Sequence, residues 1–310
     1  MSLKPKNLYK YLTFNENTLK LLCTLQVYYS DPAFFNDPLD CQPIVRNDLT
    51  LHELKEIFIQ IMLKKSEKQF SQSLKNLRFS GEKTNERAFK LAESEVKGII
   101  NSLEYQSTDP MIKNQNGYLE TNYVSAIQKE IVNSFKTGVL CLSSKFDSPL
   151  MWSHYASQHR GICIEYDMTD VKDDKVHKVV YGGSRLIVTS EINEWLYNPS
   201  NSSRLKQVCL LTKSEEWRYE SEWRIFSQVG LGDSIPPVKS IIFGLKCDDV
   251  TIYTVMKAMM TEGRDLKFWK IVNRGDKFSL KRERIYPDEY YATLPCIISS
   301  SQIDSMLDDE

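Results

Sequence analysis

The sequence predicts a mixed α+β (α/β) fold, with a central, mostly antiparallel sheet, flanking helices and a helical insertion. Apolar runs such as VLCLSS (139–144), GICIEYD (161–167) and VKSIIFG (238–244) have the length and composition of buried strands. Between residues 50 and 136 the apolar residues recur every three or four positions, which is typical of amphipathic helices. We therefore expect one domain over residues 1–298, with the insertion at about 50–136 and a disordered tail at 299–310. The alternative is an independent helical subdomain.

Composition narrows the classes of function. The chain has 310 residues, 40 basic against 41 acidic, so it lacks the overall basic surplus that favours non-specific binding to nucleic acid or membranes. No apolar run approaches the roughly 18 residues of a membrane span, and we expect no signal peptide and no membrane partner. The seven cysteines are scattered without a CxxC pair. This pattern indicates neither a zinc site nor a disulfide framework, and it favours a reducing, cytoplasmic location.

The first elements predicted are a strand, a helix and a second strand. Thr13 and Glu16 have the spacing of a capping box, so we expect a helix over Asn15–Cys23. The strands are expected over Leu8–Tyr11 and Val27–Ser30, and the Asp-Pro steps that follow predict a loop.

In the second half, Ser148 and Pro149 suit the start of a short helix, which we expect to end at Gly161. A loop-rich stretch is expected over 167–203. After it we expect a helix over Leu205–Lys213 and a strand over Tyr219–Gln228. The segments VKSIIFG, LKFWKIV and KFSLKRERI predict the last strands, and TIYTVMKAMM predicts a helix between them.

The segment YESEWR (219–224) carries the most suggestive polar cluster. On a strand, Glu220, Glu222 and Arg224 would share one face, because side chains alternate. Two carboxylates side by side are electrostatically costly without partners. One interpretation is a solvated face on which Arg224 neutralises a glutamate. The other is a catalytic acid or base, or a ligand for a ribose hydroxyl, with Lys213 bordering the same pocket.

A second cluster joins a strand end to the helix behind it. Ser143 and Ser144 end the strand, which taken alone indicates the start of a loop. In the following helix Trp152, Tyr155 and His159 share one face, and an aromatic stripe of this kind is more often core than site. His159, near the expected helix end, would titrate near neutrality. No second histidine shares its face, so no metal site is expected.

The third cluster is Tyr9-Lys10-Tyr11 on the first strand. The two-residue period places both tyrosines on one face and Lys10 on the other. Structural tyrosines are common in sheets, and that interpretation stays open beside a ligand-binding one.

Three segments carry a resemblance to a known family. LYKYLTFNENTLKLL…YYSDPAFFNDPLDC, LCLSS…SPLMWSHYASQHRGICIEYD and KSEEWRYESEWRIF together resemble the bacterial family catalogued as domain of unknown function 2971. The likeness spans both ends of the chain and most of what lies between. The family name implies no mechanism.

The order of the motifs is also similar to that of the ADP-ribosyltransferase superfamily, and LYKYLTFNENTLKLL to the opening of its DNA-modifying members. That resemblance implies that Lys10 or Tyr11 holds the nicotinamide-side phosphate or ribose of NAD. It implies that Ser143 and Ser144 support the NAD pocket and that Glu222 drives transfer.

In the same scheme Glu220 activates the acceptor. A carboxylate beside the cationic, oxocarbenium-like sugar stabilises the charge that develops as the nicotinamide leaves. The further residues expected around NAD are Tyr9, Trp152, Tyr155, His159, Lys213 and Arg224.

The function expected is transfer of ADP-ribose from NAD to a protein or nucleic-acid acceptor, as a toxin or antiviral effector with a neutralising or regulating partner protein. The chain contains no GxGxxG, Walker or GxSxG motif. One alternative is a nuclease-type effector that uses Glu220, Glu222, Lys213 and His159. The other is a non-catalytic module that senses or binds a ligand.

Overall fold

The computed structural model describes residues 4–79, 82–232, 236–260, 266–273, 275 and 278–292. The tail predicted at 299–310 lies outside the described residues. The helices are α1 (Glu16–Thr24), α2 (Leu51–Asn76), α3 (Glu82–Ser107), α4 (Gln115–Ser134), α5 (Pro149–Tyr155), α6 (Thr189–Tyr197), α7 (Ser203–Leu210), α8 (Asp249–Met259) and α9 (Pro287–Ala292). The strands are β1 (Asn7–Leu12), β2 (Val27–Tyr29), β3 (Ile44–Arg46), β4 (Gly138–Ser143), β5 (Ile162–Asp167), β6 (Val176–Lys178), β7 (Val180–Tyr181), β8 (Leu186–Val188), β9 (Thr212–Lys213), β10 (Glu222–Ser227), β11 (Gly230–Gly232), β12 (Val238–Phe243), β13 (Lys267–Asn273) and β14 (Leu280–Ile285).

The chain groups into two compact units, each assembled from separate segments. The sheet unit comprises residues 1–29, 139–178 and 218–310, and the helical unit comprises 30–138 and 179–217. The helices predicted for the insertion, α2 to α4, lie in the helical unit. The single domain over residues 1–298 stays a prediction.

The sheet unit contains an eight-stranded sheet in the order β14-β13-β12-β5-β1-β4-β10-β6. The pairings of β1 with β4 and β5, of β12 with β5, of β13 with β14 and of β10 with β6 are antiparallel. Strands β12 and β13 are parallel, because α8 carries the chain between them. The prediction of a mixed α+β fold with a mostly antiparallel central sheet is confirmed.

Alternation along the strands gives this sheet two different faces. One face packs Leu8, Ile164 and Phe243 into a large apolar cluster that includes Ile252 and Met256 of α8. The opposite face carries Tyr9, Tyr11, Cys163, Ile242 and Ile271, which pack against Met151, Trp152 and Ala156 at α5. We call this second surface the α5 face. In the described part of the sheet this face, unlike the first one, also carries buried polar side chains, among them Glu165 and Ser143.

Several predicted boundaries are wrong at the helix ends. Helix α1 is capped by Asn15, whose side chain accepts from the Thr18 amide at 2.9 Å, and not by Thr13. Helix α5 begins as predicted, with Ser148 as the N-cap, but it ends at Tyr155 and not at Gly161. Helix α7 ends at Leu210, so Lys213 lies in the short strand β9.

Two predictions for longer segments also need correction. The stretch over 167–203, predicted to be loop-rich, contains three short strands and helix α6. The strand predicted over Tyr219–Gln228 begins only at Glu222, because Glu215–Glu220 form a 3₁₀ turn. The observed strand therefore begins three residues later than predicted.

In the helical unit, α2 packs against both α3 and α4. Thr50 and Glu53 form a reciprocal capping box at the start of α2, which satisfies amides that a helix start leaves unpaired. The core side of α2 consists of Leu54, Ile57, Phe58 and Ile61. The helices form because apolar residues recur on one side of each. Phe89 of α3 is an exception among these apolar residues, because its side chain is 42% exposed.

The described helices include none whose length and apolar content would let it span a membrane.

Candidate functional site

The three strands that carry the predicted motifs are consecutive neighbours in the sheet, in the order β1-β4-β10. Tyr9 on β1 lies opposite Ser143 on β4. Tyr9 and Tyr11 lie on the α5 face, where both are buried. Lys10 points to the other side of β1, as predicted, and donates to the Cys141 carbonyl at 3.1 Å. The tyrosines, and not Lys10, therefore share a face with the other motifs.

Hydroxyls at the end of β4 fix the entry into β10. The Ser143 hydroxyl donates to the Glu220 carbonyl at 2.6 Å, and the Ser144 amide donates to the Ser221 carbonyl at 3.1 Å. Ser221 has a φ of 48°, in the left-handed region that costs a non-glycine residue energy. These bonds hold the turn, which separates Glu220 from the strand. The prediction that Glu220 and Glu222 share one face of a single strand is therefore wrong.

Glu222 and Arg224 form a buried, bidentate ion pair on β10. The distances are 2.8 Å from Nε to Oε1 and 3.1 Å from Nη2 to Oε2. The side chains are 5% and 0% exposed. Because Trp223 and Ile225 pack on the opposite side, both charged groups project to the α5 face. Pairing of Arg224 with one glutamate was one interpretation of the sequence, but the pair is buried and not on a solvated face.

Glu220 is buried and accepts a hydrogen bond from the Tyr155 hydroxyl at 2.6 Å. Tyr155 is the last residue of α5, so this bond ties the helix to the start of β10. The two residues were predicted to share one candidate site, and they are in direct contact. The half-buried Tyr155 makes this the more accessible edge of the cluster.

Trp152 organises the aromatic part of the α5 face. Its ring contacts Tyr11 edge-on at 5.1 Å and stacks with His159 at 6.3 Å. Its indole N–H donates to the Phe146 carbonyl at 2.7 Å, and the Tyr11 hydroxyl donates to the Lys145 carbonyl at 2.8 Å. Burial strongly raises the pKa of the Tyr11 phenol. Trp152 and Tyr11 are therefore packing residues as well as candidate ligands.

His159 lies beyond the helix, in a run of three left-handed residues. Ser157, Gln158 and His159 have φ values of 47°, 53° and 71°. Burial lowers the pKa of the His159 imidazole, with a smaller contribution from the charge of Lys246. The helix end predicted beside His159 is wrong, because the helix stops at Tyr155. Its Nδ1 is buried without a hydrogen-bond partner among the described residues.

A buried carboxylate outside the predicted clusters lies at the centre of the sheet. Glu165 on β5 is 2% exposed. Its Oε1 accepts from Asn7 at 2.8 Å and from the Tyr9 hydroxyl at 3.1 Å, and its Oε2 accepts from Ser240 and from Arg282 at 2.9 Å. Burial and the Glu165 charge raise the pKa of Tyr9 to about 12. A charged residue inside the apolar run GICIEYD was the available indication.

Lys213 belongs to the helical unit and has partners there. Its ammonium lies 3.5 Å from the Asp40 carboxylate and 5.0 Å from the centre of the Trp217 ring. Both charged side chains are at most 5% exposed. Within this unit Lys213 therefore has a structural ion pair and a cation–π contact.

The described residues give little support for thiol or metal chemistry. Burial raises the pKa of four cysteines, Cys141, Cys163, Cys209 and Cys247, which keeps these thiols protonated. Across the described ranges, no three His, Cys, Asp or Glu side chains are grouped closely enough to hold a metal ion.

Comparison with known proteins locates one family match on this part of the chain. Residues 151–225 match the family model described as protein of unknown function (DUF2971). This segment is similar to DUF2971. The DUF2971 match contains Trp152, Tyr155, Glu220 and Glu222, and it ends before the sheet edge formed by β13 and β14. Searches of curated proteins and of solved structures gave no match.

Proposed function

We propose that the chain is an ADP-ribosyltransferase-like enzyme that moves ADP-ribose from NAD to a protein or nucleic-acid acceptor. The observation that carries the proposal is the adjacency of β1, β4 and β10, with Tyr9, Ser143 and Glu222 on three consecutive strands. The resemblance to this superfamily requires its three motifs to meet. Membership of the DUF2971 family beyond residues 151–225 and a cytoplasmic location, where NAD is available, belong to the same proposal.

Glu222 would stabilise the sugar as the glycosidic bond breaks. The bond between the ribose carbon and the nicotinamide nitrogen breaks, and its electron pair leaves with nicotinamide. The ribose carbon becomes cationic, and a carboxylate held in a water-poor site stabilises that charge. Two bonds from Arg224 fix the carboxylate in one orientation, so little reorganisation is needed during the reaction.

As the nucleophilic atom of the acceptor bonds to the ribose carbon, Glu220 would receive the proton that this atom loses. The carboxylate is held by Tyr155 and lies at the turn that Ser143 and Ser144 fix. Those serines act as positioning residues in this scheme, because their hydroxyls are bonded to the backbone of Glu220 and Ser221. Tyr9 and Tyr11 would supply the first-strand contacts to NAD, in place of Lys10.

The test compares wild type with Glu222→Gln in two measurements, NAD binding by calorimetry and nicotinamide release in the presence of a mixed lysate. The glutamine keeps the size of the side chain and removes its charge. We expect NAD binding to survive and turnover to fall about 100-fold or more, as for loss of a charge-stabilising group in other active sites. Glu95→Gln, on the exposed side of α3, is the matched control and should keep full turnover.

Two outcomes would contradict the proposal. Full turnover by a Glu222→Gln protein that binds NAD would remove Glu222 from the chemistry. Absence of both NAD binding and turnover in the wild type would favour a non-catalytic binding module, in which the Glu222–Arg224 pair is structural.

A further inference from the structure

One end of the sheet departs from the neutral charge of the chain. Strands β13 and β14 together contain five Lys or Arg residues and one acidic residue. The whole chain is balanced, with 40 basic and 41 acidic residues. Strand β14 is the last strand of the sheet among the described residues. A local basic excess of this size therefore lies on a sheet edge and not within the core.

Two arginines of this edge alternate with three aromatic rings. The guanidinium carbon of Arg282 lies 4.6 Å from the ring centre of Phe146 and 4.6 Å from that of Trp269. The guanidinium carbon of Arg284 lies 5.3 Å from the ring centre of Trp269 and 5.6 Å from that of Tyr286. We call these five residues the arginine ladder.

The ladder lies on the α5 face, because Trp269 and Arg284 are directly paired across the strands while Phe268 and Ile285 point the other way. The two arginines differ in what remains available to a ligand. Arg282 donates to Glu165 at 2.9 Å and is 24% exposed. Arg284 stacks on rings but has no ion-pair partner among the described residues. A guanidinium stacked on a ring keeps its in-plane N–H donors, which match the geometry of a phosphate.

We propose that this edge binds single-stranded nucleic acid. Arg284 and the exposed Lys267 would contact phosphates, because a polyanion complements the local basic excess. Tyr286 and Phe278, which are 55% and 98% exposed, offer ring faces on which unpaired bases stack. A duplex buries the faces of its bases, and an acidic peptide has none. The aromatic rings therefore favour a single strand over both.

The experiment measures fluorescence anisotropy of a labelled mixed-sequence DNA strand of about 12 nucleotides, within the range that stacking surfaces cover. The full chain is titrated without NAD. We expect Arg284→Glu to weaken binding by about tenfold or more and to flatten its salt dependence, since each phosphate contact adds about −0.7 to the slope. Phe278→Ala should weaken binding by about tenfold through lost stacking.

Matched controls come from helix α3. Lys97→Glu makes the same charge reversal on an exposed position, and Phe89→Ala removes a ring that is 42% exposed. Both control variants should bind the DNA strand with the affinity of the wild type. Absence of binding by wild type, equal losses in the control variants, tighter binding of the matching duplex, or equal displacement by poly-glutamate would each overturn the proposal.

If the strand is bound, the acceptor class of the proposed transfer would be nucleic acid. The assignment of nucleic acid as the acceptor rests on the proposed function, whereas the proposed binding of a single strand does not. Because the titration contains no NAD, a failure to bind leaves transfer to a protein acceptor open. A failure of NAD turnover, in turn, leaves the binding measurement valid.

Discussion

At the scale of single residues, Glu165 and Glu222 are buried carboxylates on the α5 face with different surroundings. Glu165 accepts four hydrogen bonds from side chains that lie on three other strands. Glu222 is paired with a cation two residues away on its own strand. The first arrangement ties distant parts of the sheet unit together, and the second fixes a single carboxylate. Glu165 is therefore the residue on which stability should depend, and Glu222 the one proposed for chemistry.

We expect Glu165→Ala to lower the free energy of unfolding by about 3 kcal/mol, the lower part of the range for breaking a buried ion pair. The substitution leaves Arg282 without its carboxylate and three neutral donors without their acceptor. Arg282 is partly exposed, so water compensates some of the loss. Urea unfolding followed by circular dichroism measures the change.

Glu95→Ala on the exposed side of α3 is the control for that substitution, and it should change stability by less than about 0.5 kcal/mol. A loss for Glu165→Ala as small as that of the control would show that the network contributes little.

The sequence indicates the strand that contains Glu165 but not the partners of that residue. A carboxylate inside the apolar run GICIEYD must be paired or hydrogen-bonded, which local reasoning can establish. Arg282 lies 117 positions away in the chain, and the aromatic and basic residues of β13 and β14 have no spacing that points to β5. Long-range pairing of this kind depends on the sheet order, which composition and periodicity do not determine.

At the scale of elements, predictions succeeded inside strands and helices and failed where the backbone turns. The strands over VKSIIFG and GICIEYD form as expected, because most of their residues are apolar or β-branched. The end of α5 and the start of β10 were misplaced. Both depend on left-handed residues, at Ser157–His159 and at Ser221, that are held by bonds to other segments. Propensity cannot reveal such positions when no glycine occupies them.

The turn after α5 leads to a prediction about pH. Burial lowers the pKa of His159 below its ordinary value of about 6.5. The unfolded state therefore binds more protons between the two pKa values, and the free energy of unfolding falls as the pH drops through that window. We expect His159→Asn to flatten the pH dependence of stability below about pH 6.5, because asparagine does not titrate and tolerates a left-handed φ.

The measurement for His159 is the slope of unfolding free energy against pH, from urea titrations at a series of pH values. The slope is used because the variant also loses the stack on Trp152 and so shifts the absolute stability. Gln158→Asn, at the neighbouring exposed position that is also left-handed, removes no titrating group and should keep the wild-type slope. Equal slopes for all three proteins would contradict the assignment to His159.

At the scale of the whole molecule, the chain alternates between the two units. The sheet unit is built from three segments of the chain and the helical unit from two. The sequence predicted the helices of the insertion but not that residues 179–217 join them, because no linker composition marks that return. Neither unit is one continuous piece of chain, so each must close long loops during folding, which costs entropy.

This connectivity favours the predicted single domain over an independent helical subdomain, and unfolding can decide between them. We expect one cooperative transition, since the segments that complete one unit are tethered through the other. The measurement uses two variants that retain a single tryptophan, Trp223 in the sheet unit or Trp195 in the helical unit. Their fluorescence midpoints in urea should coincide with each other and with circular dichroism. Separate midpoints would mean that the helical unit has a stability of its own, because only an independently folded unit loses its structure at its own denaturant concentration.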